Sequence, residues 1–299
     1  MVRAEATQQA NSVSSRRYFA FTRWLTTSLV YFMTIGLALF FGTPFLWSVL
    51  TSLKTPVEVF IFPPQWFPDV PQWRNYVDIF QQAPLALFFL NSCVMTLLIM
   101  LGQLLSASLV AYGFARFRFP GRNWLFVVLL STLMLPSQVT IIPTFLLFKY
   151  LGWLDSLKPM IVPAYFGGGA FAIFLFRQFF LTIPQELDAA AKIDGANSLY
   201  IFFRVLAPLA KPVFITMSIF SFLGSWNDFF NPLIYINTVE KFPLALGLTY
   251  FQRVAISAGP STEHLLMAAA MTMTFPCLVL FVILQRYWVQ GIVMTGIKG

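Results

Sequence analysis

Charge is scarce in this chain: only 10% of its 299 residues are Asp, Glu, Lys or Arg, while 58% are hydrophobic. Soluble domains average about 25% charged and about 45–50% apolar residues, and a water-facing surface cannot hide this much apolar side chain. Cysteine is nearly absent, and Cys93 and Cys277 both lie inside long apolar runs. A thiol there acts as a small hydrophobe, which argues against a disulfide framework and a Cys-based metal site. The single histidine, His264, has only Glu263 beside it, so no metal-ligand set is assigned. No Gly-x-x-x-x-Gly-Lys-[Ser/Thr] run occurs, so the phosphate-cradling loop needed for nucleotide hydrolysis is missing. Neither His-Glu-x-x-His nor a nucleophile matched to a base is present, and no catalytic residue is assigned. The net charge of +8 does not indicate nucleic acid, because the basic residues stand between apolar runs instead of gathering beside stacking aromatics.

What the chain has is long apolar stretches. A helix needs about 20 mostly apolar residues to cross a hydrocarbon layer about 30 Å thick. Stretches near 25–50, 85–112, 123–148, 159–181, 211–236 and 265–288 meet that length. They lack strict period-2 alternation, and backbone amides cannot go unpaired in lipid, so the spacing predicts an all-α polytopic membrane protein with six spans. With both termini on the cytoplasmic side, only Lys54, Arg74, Lys149, Lys158, Lys241 and Arg253 of the 19 Lys and Arg fall outside, the bias that cytoplasmic flanks show. The expected layout is an uncleaved N-terminal tail over 1–24, a transmembrane domain over 25–288 with a cytoplasmic loop at 182–212, and a C-terminal tail over 289–299.

Two external loops are long. In 51–84, prolines in Pro63-Pro64-Gln65-Trp66-Phe67-Pro68 rule out a continuous helix and the tryptophans suit the membrane interface. In 237–264, Ala258-Gly259-Pro260-Ser261 is a turn signal. Asp228 is the only acidic side chain in an expected span and should meet water or a partner. Trp226 offers a ring that can stack on a sugar, and Asn227 and Asp228 can bond its hydroxyls; a structural cap beside an interfacial tryptophan fits the same residues. Gly167-Gly168-Gly169 in the fourth span reads as a kink or as a close-packing site.

The loop at 182–212 is the most specific stretch. Thr182 can cap a helix, Pro184 suits its first turn, Glu186 and Asp188 complement the positive dipole end, and Gly195 can terminate it. Asn197 or Ser198 can cap a second helix that Pro208 stops. In the first helix, Leu187, Ala190, Ala191 and Asp194 share a face, and the run Ala189-Ala190-Ala191 keeps it slim. A slim helix with an apolar stripe can enter another protein's groove, and the same pattern fits an amphipathic hairpin lying on the membrane.

This run resembles the cytoplasmic loop motif of ABC-importer permeases, written Glu-Ala-Ala, three residues, Gly, nine residues, Ile, one residue, Leu-Pro. The resemblance is placed on Asp188-Ala189-Ala190, Gly195, Val205, Ala207 and Pro208, with Asp for Glu, Val for Ile and Ala for Leu. It extends along most of the chain, through Ser52-Leu53-Lys54, Asn75-Tyr76, Asn91-Ser92, 111–116 and 225–229, and looks like the maltose-type, carbohydrate branch. The resemblance implies a bacterial inner-membrane permease that forms half of a sugar pathway. Its coupling residues would be Glu186, Leu187, Asp188, Ala189, Ala190, Ala191, Asp194, Gly195, Ala196 and Pro208. It further implies two ATPase subunits holding ATP and Mg, a second homologous permease, surrounding lipid, and a sugar-binding protein touching Ser257, Ala258, Gly259 and Pro260. A channel or secondary transporter is the alternative, but repeated halves and several ionisable groups at mid-membrane are missing, and a channel gives no reason for this loop.

Overall fold

Lipid requires a backbone that satisfies its own hydrogen bonds, and helices are the regular elements found among the described residues. The computed structural model describes the backbone of residues 2–258 and 262–296 and the side chains of 23–136, 138–251 and 262–285. In chain order the helices are α1 (Val2–Ser52), α2 (Asn75–Gln82), α3 (Leu85–Arg116), α4 (Arg122–Ser131), α5 (Ser137–Tyr150), α6 (Lys158–Ile161) and α7 (Ala170–Thr182). They continue as α8 (Glu186–Ile193), α9 (Ser198–Tyr200), α10 (Ala207–Leu209), α11 (Lys211–Trp226), α12 (Phe230–Tyr235), α13 (Leu244–Ala258) and α14 (Glu263–Gly296).

Among the described residues, four stretches are long and apolar enough to cross a membrane: Arg23–Ser52, Leu85–Arg116, Lys158–Thr182 and Glu263–Gln285. Two bent pairs, Arg122–Met134 with Gln138–Tyr150 and Ser198–Leu209 with Lys211–Trp226, bring the possible crossings to 6. The breaks depart from six straight helices. The third span turns by 101° because Pro136, which lacks an N–H, holds Leu135 extended at ψ 117°. The fifth stops at Trp226, and helix resumes as α12 after three intervening residues.

The fourth span is interrupted at Phe166–Gly169, where Gly167, Gly168 and Gly169 take φ of +94°, +64° and +91°. Both readings of these glycines are realised. The segment is unwound, and Gly168 lies so close to α3 that a Cβ would fall 2.6 Å from the Gln103 carbonyl oxygen. Carbonyls freed by the unwinding are recovered by α3: Gln103 Nε2 donates to Gly168 O at 2.8 Å and Ser106 Oγ to Ala164 O at 2.8 Å. Irregular backbone within a span persists when protein supplies such bonds.

The loop expected at 237–264 is largely helix. Leu244 and Phe251 are buried and Leu248 packs beside them, an i, i+4, i+7 stripe laid on α3 and α14. Both buried clusters share α3. One joins Ala107, Ala111, Phe176, Phe180, Phe202 and Leu206; the other joins Phe88, Trp226, Leu244, Phe251 and Ala268. Helix α1 packs along α14 and leaves Phe32, Phe40 and Phe41 exposed, as a lipid-facing span does.

The loop between α1 and α2 folds around two polar residues. Lys54 is buried, donating to Gln65 O at 2.6 Å with its ammonium 4.4 Å over the Trp47 ring. Asn75 Nδ2 donates to Ser52 O and Lys54 O at 2.8 and 3.0 Å, and the Ser52 and Tyr76 hydroxyls meet at 2.8 Å. The separated stretches 52–54 and 75–76 thus meet in one structural knot.

Candidate functional site

Helix α8 is set at both ends by local chemistry. Its start differs from expectation: Gln185 occupies the N-cap position without a side-chain cap, and Thr182 closes α7 instead, donating Oγ1 to Phe179 O at 2.7 Å. Ile183 is extended before Pro184, as a residue preceding proline prefers. Glu186 and Asp188 in the first turn and Lys192 in the last complement the helix dipole.

The far end is a Schellman turn. Gly195 takes φ +84° with N–H to Lys192 O at 3.0 Å, while Ala196 N–H reaches Ala191 O at 2.9 Å. Nothing crowds the space where a Gly195 Cβ would lie, so the glycine is required by its backbone angle. Asn197 then caps the next helix by accepting from Tyr200 N at 2.8 Å.

Pro208 does not stop that second helix. The chain runs helically to Leu209 through a π-helical stretch, Ile201–Leu206, that buries Ile201, Phe202 and Leu206. Pro208 falls in the first turn of α10, where the wide turn before it accommodates a residue without an N–H, and the 81° bend follows at Ala210.

The faces of α8 also differ in part from the expected stripe. Glu186, Leu187, Ala189, Ala190, Ile193 and Asp194 point outward, with Ile193 87% exposed. Ala191 and Ala196 pack inward on the cluster shared with Phe180 and Phe202, and Asp188 is buried. Asp188 Oδ2 lies 3.0 Å from Nε of Arg116, the last residue of α3, although the N–H is not aligned for a hydrogen bond. The same guanidinium donates Nη2–H to Ile183 O at 2.8 Å. Counting back from Gly195 with three residues between moves the Glu-Ala-Ala element one place, onto Ala189-Ala190-Ala191. Its acidic position is therefore the exposed Ala189, and Asp188 stands one residue before it.

Trp226 is 2% exposed, donates Nε1–H to Met273 O at 3.1 Å and stacks on Phe222 at 5.4 Å. In this arrangement its ring is covered. Asn227 Nδ2 bonds Leu223 O at 2.9 Å, and Asp228 accepts from Asn231 N at 3.2 Å and Asn231 Nδ2 at 2.8 Å, opening α12. Asn227 is exposed and Asp228 half-buried. Gly259 and Pro260 lie outside the described residues, as do the side chains of Ser257 and Ala258, which end α13.

Residues 103–294 match the family model of binding-protein-dependent transport system inner membrane components. The chain belongs to this family. It is a permease subunit of an ABC importer. It is 34% identical over 233 residues to the arabinooligosaccharides transport system permease protein AraQ of Bacillus subtilis, covering 78% of this chain and 81% of that one. It is 35% identical over 242 residues to the sn-glycerol-3-phosphate transport system permease protein UgpE of Pectobacterium atrosepticum, covering 79% and 85%. The probable ABC transporter permease protein YurM of Bacillus subtilis is 30% identical over 260 residues, covering 86% and 83%. In three dimensions the permease resembles a chain of a bacterial ABC transporter involved in the import of the acidic polysaccharide alginate, with TM-score 0.76, 24% identity, and 87% and 95% coverage.

Sequence reasoning missed a second polar centre in the permease, at the opposite end of α3. Asp155, at φ +54°, accepts from Asn237 N, Thr238 N, Thr238 Oγ1 and Lys241 Nζ at 3.0, 2.8, 2.7 and 2.7 Å. The Lys241 ammonium, then Thr238, hold its carboxyl far below the ordinary carboxylate range. Ser92 Oγ accepts from Leu244 N at 2.7 Å, and Asn91 Nδ2 donates to Glu240 O at 2.9 Å and Phe242 O at 3.1 Å, fastening the same loop to α3. The signal available was Asn91-Ser92 itself: polar residues at the start of an apolar helix need partners.

Proposed function

We propose that this permease forms half of the translocation pathway for a sugar or sugar-like solute and couples through α8 to separate ATPase subunits. The observation that carries the coupling reading is the outward face of α8: Leu187, Ala190 and Ile193 stand exposed on a slim helix whose two ends are fixed. Exposed apolar side chains on a short, pre-organised helix suit insertion into a protein groove. With no phosphate-cradling loop in this chain, ATP and Mg belong to the partner ATPases. The sugar assignment is supported by the relatives, although one carries arabinooligosaccharides in its name and another sn-glycerol-3-phosphate at nearly the same identity.

In this reading both termini and α8 face the cytoplasm, a second homologous permease completes a heterodimer, and residues 257–260 meet an extracytoplasmic sugar-binding protein. The pathway residues are Asn227 and Asp228, with Trp226 setting their position from behind. The test introduces Ala190→Arg and Gly195→Val separately and measures ATPase retained on purification and solute uptake in reconstituted vesicles. Both variants should insert in the membrane, lose most of the ATPase and fall at least about tenfold in uptake, the scale of 1.4 kcal/mol or more. Normal ATPase retention with normally coupled uptake would replace docking by a hairpin resting on the membrane surface.

A further inference from the structure

Two charged side chains are withdrawn from water where α8 meets α3. The Arg116 side chain is 4% exposed and that of Asp188 12%. Arg116 reaches both sides of the bend between α7 and α8, touching the Ile183 carbonyl on one and the Asp188 carboxylate on the other. Attraction within a buried pair hardly offsets the desolvation of its members, so such pairs are poor devices for stability alone. They are good devices for holding one geometry, because a charge left without its partner in this setting is costly.

The pair joins more than its own two helices. Arg116 ends α3, and one turn earlier Tyr112 packs 5.4 Å from Phe202 of the π-helical stretch that follows α8. Further along α3, Gln103 and Ser106 hold the Gly168 and Ala164 carbonyls at the interruption of the fourth span. A displacement of α8 therefore meets α3 through a fixed ionic contact, and α3 in turn grips the unwound segment of the fourth span. The register of the motif agrees: its acidic position falls on exposed Ala189, leaving Asp188 turned into its own chain.

We propose that Arg116 and Asp188 form the joint by which α8 drives α3, with Asp188 a positioning residue that faces this chain and not the ATPase. The proposal rests on the docking reading of α8 given above. It is tested in the assembled importer, in vesicles, with Asp188→Asn, Asp188→Glu and the exchange of Arg116→Asp with Asp188→Arg. ATPase retention and solute molecules imported per ATP hydrolysed are both measured.

Asp188→Asn should keep the ATPase within about twofold while transport per ATP falls about tenfold, and Asp188→Glu or the exchange should recover most of that loss, as coupled partners do in a double-mutant cycle. An unchanged transport ratio in Asp188→Asn overturns the joint. Loss of the ATPase from Asp188→Asn also overturns it, because the carboxylate would then be a docking contact. A fallen ratio that neither Asp188→Glu nor the exchange restores overturns it as well. Ala190→Arg, run alongside, separates the two readings: if that variant keeps its ATPase and coupled uptake, docking by α8 fails. If Ala190→Arg releases the ATPase and Asp188→Asn leaves the ratio intact, docking stands and the joint alone is lost.

Discussion

At each end of α3 an acidic residue ties neighbouring segments together, but the two do so in opposite surroundings. Asp188 has one ionic partner, at 3.0 Å, and almost no water. Asp155 gathers backbone and side-chain donors from the 237–241 loop while its side chain remains 30% exposed and that of Lys241 48%. The first contact is sparse and buried, so losing one partner strands a charge. The second is rich and wet, so a lost ion pair is replaced by solvent while the other hydrogen bonds persist. A buried joint transmits displacement stiffly, and an exposed clasp shapes a loop.

The sharpest way to break this comparison is to remove a charge at the buried end. Arg116→Leu should lower stability by about 3–5 kcal/mol, the cost of leaving one buried charge uncompensated. Thermal unfolding in detergent measures it, and a loss as small as that of an exposed pair would make the two ends equivalent. Next in size is Gly168→Ala, where a Cβ would meet Gln103 O at 2.6 Å and Ala107 Cβ at 2.9 Å on top of a positive φ. Crowding and strain together predict about 2–3 kcal/mol. Gly167→Ala meets nothing within 4 Å, so only the backbone cost of about 1–2 kcal/mol remains. Equal losses would mean that contact with α3 is not what holds the unwound segment.

Asp228→Ala should cost about 1 kcal/mol through the cap that Asn231 N–H loses, with Asp228→Asn milder, and uptake should fall modestly in both. Wild-type uptake for the two variants would leave capping as this residue's whole role. Smallest at neutral pH is Asp155→Asn, which keeps a residue tolerant of positive φ while removing the charge facing Lys241. Because the Asp155 carboxyl is depressed in the folded protein, its contribution is fully present above the unfolded value of about 3.9 and is lost as pH falls further. The unfolding midpoints of wild type and Asp155→Asn should therefore differ by a constant amount down to about pH 4 and converge below it. A gap that widens on acidification would contradict this sign.

Much of the fold was legible because lipid imposes a simple rule of length and polarity: the expected spans fall on helical stretches, with the third, fourth and fifth of them broken. The C-terminal end of α8 and the start of α9 were legible for a different reason, since Gly195 and Asn197 act through their immediate neighbours. What the sequence hid depends on distant partners. Thr182 has the same capping chemistry at the end of α7 as at the start of α8, and only packing decides between them. Helix α13 was concealed by the turn signal near its end, although its stripe of Leu244, Leu248 and Phe251 was there to count. The inward turn of Asp188 followed from Arg116, a residue from another helix that no local pattern connects to it.

The wide turn at Ile201–Leu206 has a geometric meaning of its own. Each residue added to a helix advances its azimuth by about 100°, so a stretch wound with one residue to spare sets the angular phase between the helices on its two sides. The wide turn takes up its spare residue locally, so deleting one residue there would close ordinary α-helix with little change of phase, whereas winding the same residues as α-helix at unchanged length would rotate the outward face of α8 by about that angle relative to α11. Leu187, Ala190 and Ile193 would keep their composition and exposure, yet be aimed a quarter-turn or more away. The segment thus behaves as an indexing pin: it stores direction, which neither the apolar stripe nor the glycine turn can encode.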